Sequence, residues 1–256
     1  MPVFYFMMNI ALLENISFIP QIKYYQLTTS TNEKAKESLP VEDFTTFIAE
    51  SQTRGKGRNS REWFSPAGEN LYFSFVLKMV GSAAEYSGYP LIVAYSILQT
   101  IRKIIDKKIF IKWPNDIYVE ERKIAGILIE IVKNHLITGI GLNVNSEKFP
   151  QFEHNKPTSL FLEKGELFER EKILKEFFIN MKANIDIFYK GFIIDKSLLY
   201  DINNNLKYKN EPVEILFKNS SKKGIIREVN EKGYLILNDG SVVYAGDVLK
   251  INYKDL

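Results

Sequence analysis

Two patterns of hydrophobic residues, one typical of strands and one typical of helices, alternate along the first two thirds of the chain. Short runs rich in β-branched and aromatic residues predict strands at residues 23–29, 43–51, 70–79, 108–113, 122–132 and 135–145. Apolar residues spaced three and four apart predict helices at residues 83–105 and 168–188. Ser30, with Glu33 three residues later, predicts a capping box that begins a short helix over residues 32–39. This order predicts an α+β fold with a mixed β-sheet and helices on one face.

The pattern changes after residue 212, where short strands alternate with turns that contain Gly, Asn and Asp. Strands are predicted within residues 213–217, 222–230, 233–239 and 241–253. The last of these ranges is long enough for two strands, which makes five. Five short strands in so short a segment favour a small closed barrel, because closure removes exposed strand edges. The Asn-rich residues 201–210 are typical of a linker between the two parts.

Composition excludes several kinds of chemistry. The chain has no cysteine, so disulfides and thiolate metal sites are excluded, and its two histidines, His135 and His154, are too far apart for a zinc motif. The net charge of +3 is too small for a general nucleic-acid binder. The apolar residues 1–13 lack a basic region and a cleavage site and are too short to span a membrane. We therefore expect a cytoplasmic protein.

The basic charge is concentrated in one loop, residues 52–66. Four cations, Arg54, Lys56, Arg58 and Arg61, surround two glycines. Free backbone N–H groups beside ammonium and guanidinium groups suit a phosphate or carboxylate ligand. The loop matches neither a P-loop nor a dinucleotide fingerprint. A solvated loop, or one that contacts RNA phosphates, is an equally good interpretation of this segment alone.

Three further motifs favour a ligand site. KWPND, at residues 112–116, puts an Asn-Asp pair at a strand end. RKIAGILIE places Lys123 in an otherwise apolar strand, which costs desolvation free energy unless an anion meets the ammonium. GIGLNVN carries Gly139 and Gly141 inside a strand, a sign that another group approaches the backbone closely.

Together with STN at residues 30–32, these motifs resemble those of the bacterial biotin–protein ligases, from about Tyr24 to the C-terminus. The resemblance implies a class II synthetase-like catalytic domain over residues 24–208 and an SH3-like barrel over residues 209–256, after an N-terminal extension of residues 1–23. An extension this short implies the monofunctional type, without the helix-turn-helix domain that lets some members repress transcription. Neither DNA nor membrane binding is expected.

The resemblance also implies a two-step reaction. Biotin reacts with ATP, accompanied by Mg²⁺, to give biotinyl-5′-AMP and pyrophosphate. A lysine of the biotin carboxyl carrier domain of a carboxylase then takes the biotinyl group. Members of the family are monomers or pair through sheet edges, so a homodimer is possible here.

The family's functional positions carry over residue by residue. Lys123 and Arg58 are the implied catalytic residues. The implied biotin-binding residues are Ser30, Thr31, Asn32, Gln52, Gly55, Lys56, Gly57, Arg58, Lys123, Gly126, Gly139 and Gly141. The implied ATP and adenylate residues are Arg58, Arg61, Trp63, Asn115, Asp116, Lys123 and Asn143. Asp116 either binds Mg²⁺ or orients Lys123 or a nearby arginine. Lys56 departs from the family, which usually has arginine there.

Alternatives remain open at this point. A lipoate–protein ligase shares the architecture but is not expected to combine KWPND with the basic Gly loop. A nucleic-acid-binding module would need exposed aromatics among cations, whereas Tyr208, Tyr234 and Tyr244 lie in apolar strand patterns and are predicted to be core. Arg61 could instead form an ion pair with Glu62 or Glu50. Trp113 is predicted to be core.

Overall fold

The computed structural model describes residues 7–151 and 156–255. Its larger sheet has seven strands: β1 (Ile22–Thr28), β2 (Thr46–Gln52), β3 (Leu71–Lys78), β4 (Ile109–Lys112), β5 (Asp116–Val119), β6 (Arg122–Val132) and β7 (His135–Leu142). They lie in the order β1-β2-β3-β7-β6-β5-β4, with β1 parallel to β2 and the other neighbours antiparallel. The sheet is therefore mixed, as predicted.

Within the described residues six α-helices accompany this sheet: α1 (Ala11–Glu14), α2 (Thr31–Ser38), α3 (Tyr89–Arg102), α4 (Leu160–Lys164), α5 (Arg170–Phe188) and α6 (Lys196–Asn204). The long helices α3 and α5 cover one face, where Phe73 and Phe75 of β3 pack against Phe177 and Phe178 of α5. Aromatic pairs of this kind add to the free energy of burial.

Successive side chains along each strand point to opposite faces of the sheet, so one strand contributes to two separate hydrophobic clusters. Ile48 of β2 belongs to the main core, whereas its neighbour Phe47 packs in a small cluster with Ala35 of α2, Val76 and Ile137. The short helix α2 therefore lies on the face opposite α3 and α5. This second face is only partly covered, which leaves room for a cleft.

Tight connections hold the central strands in register. Lys133 and Asn134 join β6 to β7 with positive φ angles of 47° and 62°. Two-residue hairpin turns with both φ values positive match the twist of antiparallel strands. The hairpin fixes Gly126 opposite Gly141 and Leu128 opposite Gly139.

The C-terminal strands form a second, antiparallel sheet of the SH3-like type. They are β8 (Pro212–Leu216), β9 (Ser221–Val229), β10 (Leu235–Leu237), β11 (Val242–Val243) and β12 (Asp247–Lys250), in the order β11-β10-β9-β8-β12. Val213, Ile215 and Leu235 of this sheet belong to the same buried cluster as the α3–α5 core. The two sheets therefore share one continuous hydrophobic core.

The chain passes from one sheet to the other within four residues. Leu206 forms a bridge with Ile111 of β4, and Lys209 forms one with Ile226 of β9. The Trp113 indole, which is buried as predicted, donates from Nε1 to the carbonyl of Gly233 at 2.9 Å. The domain boundary after residue 208 stays a prediction.

Several local features differ from the sequence predictions. The helix expected over residues 83–105 is a 3₁₀ turn, Ala83–Tyr86, followed by α3, because the chain turns at Gly88 before Pro90 enters the first helical turn. Strand β5 was missed, because its four residues are too few to show a period.

The predicted linker at residues 201–210 begins inside α6. Asp195 caps this helix by accepting from Ser197 N at 2.9 Å, and Leu198 and Ile202 bury its apolar side. Tyr244 is 68% exposed rather than core, and it packs edge-to-face on Tyr234.

Part of the N-terminal extension packs on the core. Among the described residues Met8, Leu13, Ile16 and Ile19 are buried. The first six residues lie outside the described part, as does His154. In the described part of the chain no helix is both long and apolar enough to cross a membrane.

Candidate functional site

A cleft of about 1190 Å³ lies on the face of the large sheet that carries α2. The loop of residues 52–66 borders it on one side and the C-terminal sheet on another. Every residue assigned to the site from sequence lines this cleft except Gly55, which instead packs against the Trp63 carbonyl and the Ser65 hydroxyl. The biotin contact expected of Gly55 stays a prediction.

One end of the cleft is a network of small polar groups. Gln52 Oε1 accepts from Thr31 N at 2.9 Å, and Gln52 Nε2 donates to Ser65 Oγ at 3.1 Å. Ser74 Oγ lies 2.7 Å from Thr31 Oγ1 and 2.6 Å from Asn32 Oδ1. These groups fix one another's orientation, so this end offers a rigid set of donors and acceptors.

The predicted capping box at Ser30 does not form. Ser30 is the N-cap residue of α2, but its side chain makes no cap hydrogen bond. Gln52 Oε1 instead accepts from Thr31 N, the first free N–H group of the helix. Glu33 Oε1 instead accepts from Lys56 Nζ at 2.6 Å and from Lys36 Nζ at 3.0 Å. These hydrogen bonds lower the pKa of Glu33 below the ordinary value of 4.5.

Glycines form the floor of the cleft, because a larger residue would collide with the groups above it. A Cβ at Gly139 would overlap Asn32 Oδ1, and a Cβ at Gly141 would overlap the Trp63 indole. Gly126 lies beneath the same indole and beside Lys123. The Trp63 Nε1 atom is buried and has no hydrogen-bond partner among the residues that the structure describes.

Lys123 reaches the floor from the start of β6. Its Nζ lies 2.8 Å from Asp116 Oδ2 and 5.3 Å from the centre of the Trp63 ring. The carboxylate compensates the desolvation of the ammonium, as the sequence argument required. Asp116 is thus paired with Lys123. A role of Asp116 in binding Mg²⁺ stays a prediction.

The basic loop is fixed to two different elements. Lys56 pairs with Glu33 on α2, while Arg58 Nη1 lies 3.0 Å from Asn115 Oδ1 and 3.2 Å from Asp247 Oδ1. Arg58 Nη2 also donates to the carbonyl of Gly246 at 3.3 Å. Opposite charges on both neighbours offset the repulsion among the loop's own cations.

Arg61 does not pair with Glu62 or Glu50. Its Nη2 lies 3.2 Å from Asp247 Oδ2, so a single carboxylate serves both arginines. Glu50 is buried on the other face, where it accepts from Arg170 Nη1 at 2.7 Å.

The two asparagines hold the cleft wall together. Asn115 Nδ2 donates to Ile127 O at 2.6 Å, which leaves its Oδ1 for Arg58. Asn143 is buried, with its Nδ2 donating to Thr158 O at 2.9 Å. A nucleotide contact for Asn143 stays a prediction.

Lys112, Tyr118 and Asp247 are among the lining residues that were missed from sequence. Lys112 belongs to the KWPND motif, and its register opposite Asp116 would have placed it on the cleft face. Burial lowers the pKa of Lys112, and the nearby Lys123 ammonium lowers it further. Asp247 carries no local sequence signal, because only the docking of the C-terminal sheet brings it to the cleft.

The acidic groups offer little for a metal ion. Among the described residues there is no cluster of three or more Asp, Glu and His side chains that could hold one. Asp116 already binds Lys123. This donor set fits only a hard cation that an anionic ligand itself coordinates, with at most one protein carboxylate.

Comparison with known proteins identifies close likenesses. Residues 24–146 match the model of the biotin/lipoate A/B protein ligase family. The bifunctional ligase/repressor BirA of Escherichia coli is 27% identical over 201 residues, which is 77% of this chain and 62% of that protein. The biotin–[acetyl-CoA-carboxylase] ligase of Mycobacterium tuberculosis is 28% identical over 82% of this chain and 80% of its own length. The match to the first of these relatives thus spans less than two thirds of its length.

The architecture is shared as well. The biotin protein ligase of Aquifex aeolicus, solved in complex with biotin and ATP, superposes with a TM-score of 0.80 and 28% identity, over 91% of this chain and 99% of that one. Sequence motifs, relatives and fold agree in one likeness: this chain is similar to the biotin/lipoate A/B protein ligase family over residues 24–146 and to a solved biotin protein ligase over most of its length.

Proposed function

We propose that the protein is a biotin–protein ligase. It activates the carboxylate of biotin with ATP to form biotinyl-5′-AMP. It then transfers the biotinyl group to a lysine of the biotin carboxyl carrier domain of a carboxylase. The relatives' names and the Aquifex complex with biotin and ATP support these substrates.

The observation that carries the proposal is the position of Lys123. Its ammonium lies on a glycine floor, with the polar end built by Thr31 and Gln52 on one side and the Arg58 loop on another. Adenylation must bring a carboxylate and a triphosphate together against their mutual repulsion. A fixed cation where they meet offsets that repulsion and stabilises the charge that develops during the reaction.

The polar end of the cleft suits the ureido ring of biotin. That ring presents one carbonyl acceptor and two N–H donors. The side chains of Thr31, Asn32 and Gln52 supply both kinds of partner within a few ångströms of each other. Gly126 and Gly141 allow the Trp63 indole to lie against the sheet, where the ring forms part of the cleft lining.

Arg58 is suited to the acyl-phosphate of the adenylate. Its guanidinium can form paired hydrogen bonds with a phosphate, each charge-assisted bond contributing about 1.5–3 kcal/mol. Lys56 can act only as a point charge, because an ammonium lacks the planar fork of the usual arginine. Its pairing with Glu33 supports a role in positioning the loop above the biotin end.

The remaining assignments extend the proposal. Mg²⁺ would enter with ATP, held mainly by the phosphates. The exposed edge strand β1, where Leu27 is 62% exposed, supports pairing of two copies through sheet edges. A cytoplasmic location and the lack of DNA binding stay predictions.

The direct test is incubation of the protein with biotin, ATP, Mg²⁺ and a purified carrier domain, read out by intact mass. We expect the mass of one biotinyl group to be added to the carrier, and none without ATP. A parallel reaction with lipoate and a lipoyl domain tests the neighbouring activity of the family. Modification of the lipoyl domain alone would contradict the proposal.

A further inference from the structure

Lys112 differs from Lys56, Arg58 and Lys123, cleft cations to which the sequence assigned a role. Lys56, Arg58 and Lys123 each have a carboxylate partner. In the described part of the chain no such partner lies within ion-pair distance of Lys112 Nζ, and its cross-strand neighbour Asp116 holds Lys123 instead. Lys112 Nζ lies over the Tyr118 ring, 5.6 Å from the centre of that ring. A half-buried ammonium without an anion costs free energy of folding.

The register of the sheet places Lys112 along one line with the glycine floor. Gly141 lies opposite Gly126, Gly126 opposite Asp116, and Asp116 opposite Lys112. Residues that face each other across antiparallel strands point to the same side of the sheet. Neighbouring strands are about 4.8 Å apart, so Lys112 lies one strand beyond the Lys123–Asp116 pair, on the edge strand β4.

The surroundings of Lys112 carry further positive charge. Lys207, which is 3% exposed, also contacts the Tyr118 ring, with its Nζ 5.0 Å from the ring centre. Lys207 is held by the Glu120 carbonyl at 2.7 Å and the exposed Glu121 carboxylate at 3.0 Å. Lys207 is therefore already paired, whereas the Lys112 ammonium in the cleft is available to an anionic ligand group.

We propose that Lys112 binds the β- and γ-phosphates of ATP and stabilises the leaving pyrophosphate. This inference rests on the proposed ligase function. In the first step a carboxylate oxygen of biotin forms a bond to the α-phosphorus while the bond to the oxygen that bridges to the β-phosphate breaks. The electron pair leaves with that oxygen, so negative charge grows on pyrophosphate. Lys123 faces the reacting α-phosphate. Lys112, one strand beyond the Lys123–Asp116 pair, binds the negative charge that grows on pyrophosphate.

The test separates the two half-reactions in Lys112→Gln. The first is biotin-dependent exchange of labelled pyrophosphate into ATP, and the second is transfer from synthetic biotinyl-5′-AMP to the carrier domain. We expect the pyrophosphate concentration for half-maximal exchange to rise about ten-fold or more, as loss of a charge-assisted hydrogen bond predicts. Transfer should stay within about two-fold of wild type, because pyrophosphate takes no part in it.

Two variants complete the design. Lys112→Arg keeps the charge and should restore part of the pyrophosphate affinity. Lys108→Gln is the matched control, because Lys108 is exposed near the same edge and does not line the cleft. The midpoint of thermal unfolding of Lys112→Gln should equal or exceed that of wild type, since the variant removes a cation without an ion-pair partner.

The outcomes are distinguishable. Wild type that catalyses no biotin-dependent exchange would overturn the ligase proposal and this inference with it. Normal exchange by wild type and unchanged pyrophosphate dependence in Lys112→Gln would overturn the role of Lys112 alone. An equal loss of exchange and transfer, or a lowered unfolding midpoint, would point to a structural role and also overturn it.

Discussion

The carboxylate of Asp247 lies 3.2 Å from Nη1 of Arg58, and this contact joins the C-terminal sheet to the basic loop over the cleft. The same carboxylate meets Arg61 and accepts from Asn59 Nδ2 at 2.9 Å. The small C-terminal domain therefore contributes to the cleft, because it holds Arg58 and Arg61, the arginines that the proposed reaction would use.

Replacing Asp247 by Asn should loosen the loop with little effect on global stability. The pair is partly exposed, so its loss should lower the free energy of unfolding by about 1 kcal/mol or less. Amide hydrogen exchange of residues 54–61 should become faster in the protein without ligand and slow again when an adenylate analogue is added. Asp239→Asn, which removes an exposed carboxylate from the same sheet, is the control. Unchanged loop exchange in Asp247→Asn would show that other contacts hold the loop.

Replacing Arg58 by Gly should release the activated intermediate. Without its guanidinium, biotinyl-5′-AMP should dissociate about ten-fold or more faster, because at least one charge-assisted hydrogen bond is lost. Free adenylate then acylates lysines of bystander proteins, which an avidin blot of added albumin detects. Arg54→Gly removes an exposed cation from the same loop and serves as control. Equal labelling by both variants would refute the role of Arg58.

Replacing Gly141 by Ala should displace the Trp63 indole from the floor. The new methyl group would overlap the ring, and overpacking of this kind costs about 1–3 kcal/mol. The tryptophan emission should shift, because the chain has two tryptophans and the other, Trp113, is buried. Gly191→Ala is the control, since the nearest atom to its added Cβ would be 3.7 Å away. An emission spectrum of Gly141→Ala identical to that of wild type would contradict this packing.

The contact between Glu33 and Lys56 should make the stability of the loop depend on pH. Because hydrogen bonds from Lys56 and Lys36 lower the pKa of Glu33, the ionised carboxylate stabilises the folded state above its ordinary value of 4.5. That contribution is lost as pH falls through the lower folded pKa. The thermal midpoint of Glu33→Gln should therefore lie below that of wild type at pH 7 and converge with it toward acid pH. A difference that is constant with pH would exclude this linkage.

Much of the site could be predicted because its residues stand in short contiguous motifs. STN, the basic Gly loop, KWPND and the two Gly-containing strands each retain their spacing, and the sheet brings Thr31, Lys123 and Gly141 together. The glycines were informative because a backbone that must accept a close neighbour excludes a Cβ. The long strands and the amphipathic helix α5 were predictable from their periods.

The remainder depends on contacts between distant elements. Asp247 reaches Arg58 only because the C-terminal sheet packs against the large one, which no local pattern encodes. The capping role expected of Ser30 was taken by Gln52, because a side chain brought in by tertiary structure satisfies the same N–H group. Consecutive asparagines suggested a linker, although Asp195 and the apolar spacing of Leu198 and Ile202 already favoured a helix.

Lys123 and the basic loop should together bind a mixed carboxylic–phosphoric anhydride. Isothermal titration calorimetry with a non-hydrolysable analogue of biotinyl-5′-AMP, on wild type and on Lys123→Ala, tests this binding. We expect wild type to bind the analogue more tightly than biotin or AMP alone, and Lys123→Ala to lose about ten-fold or more of that affinity. Absence of binding by wild type, or equal affinity in the two proteins, would contradict it.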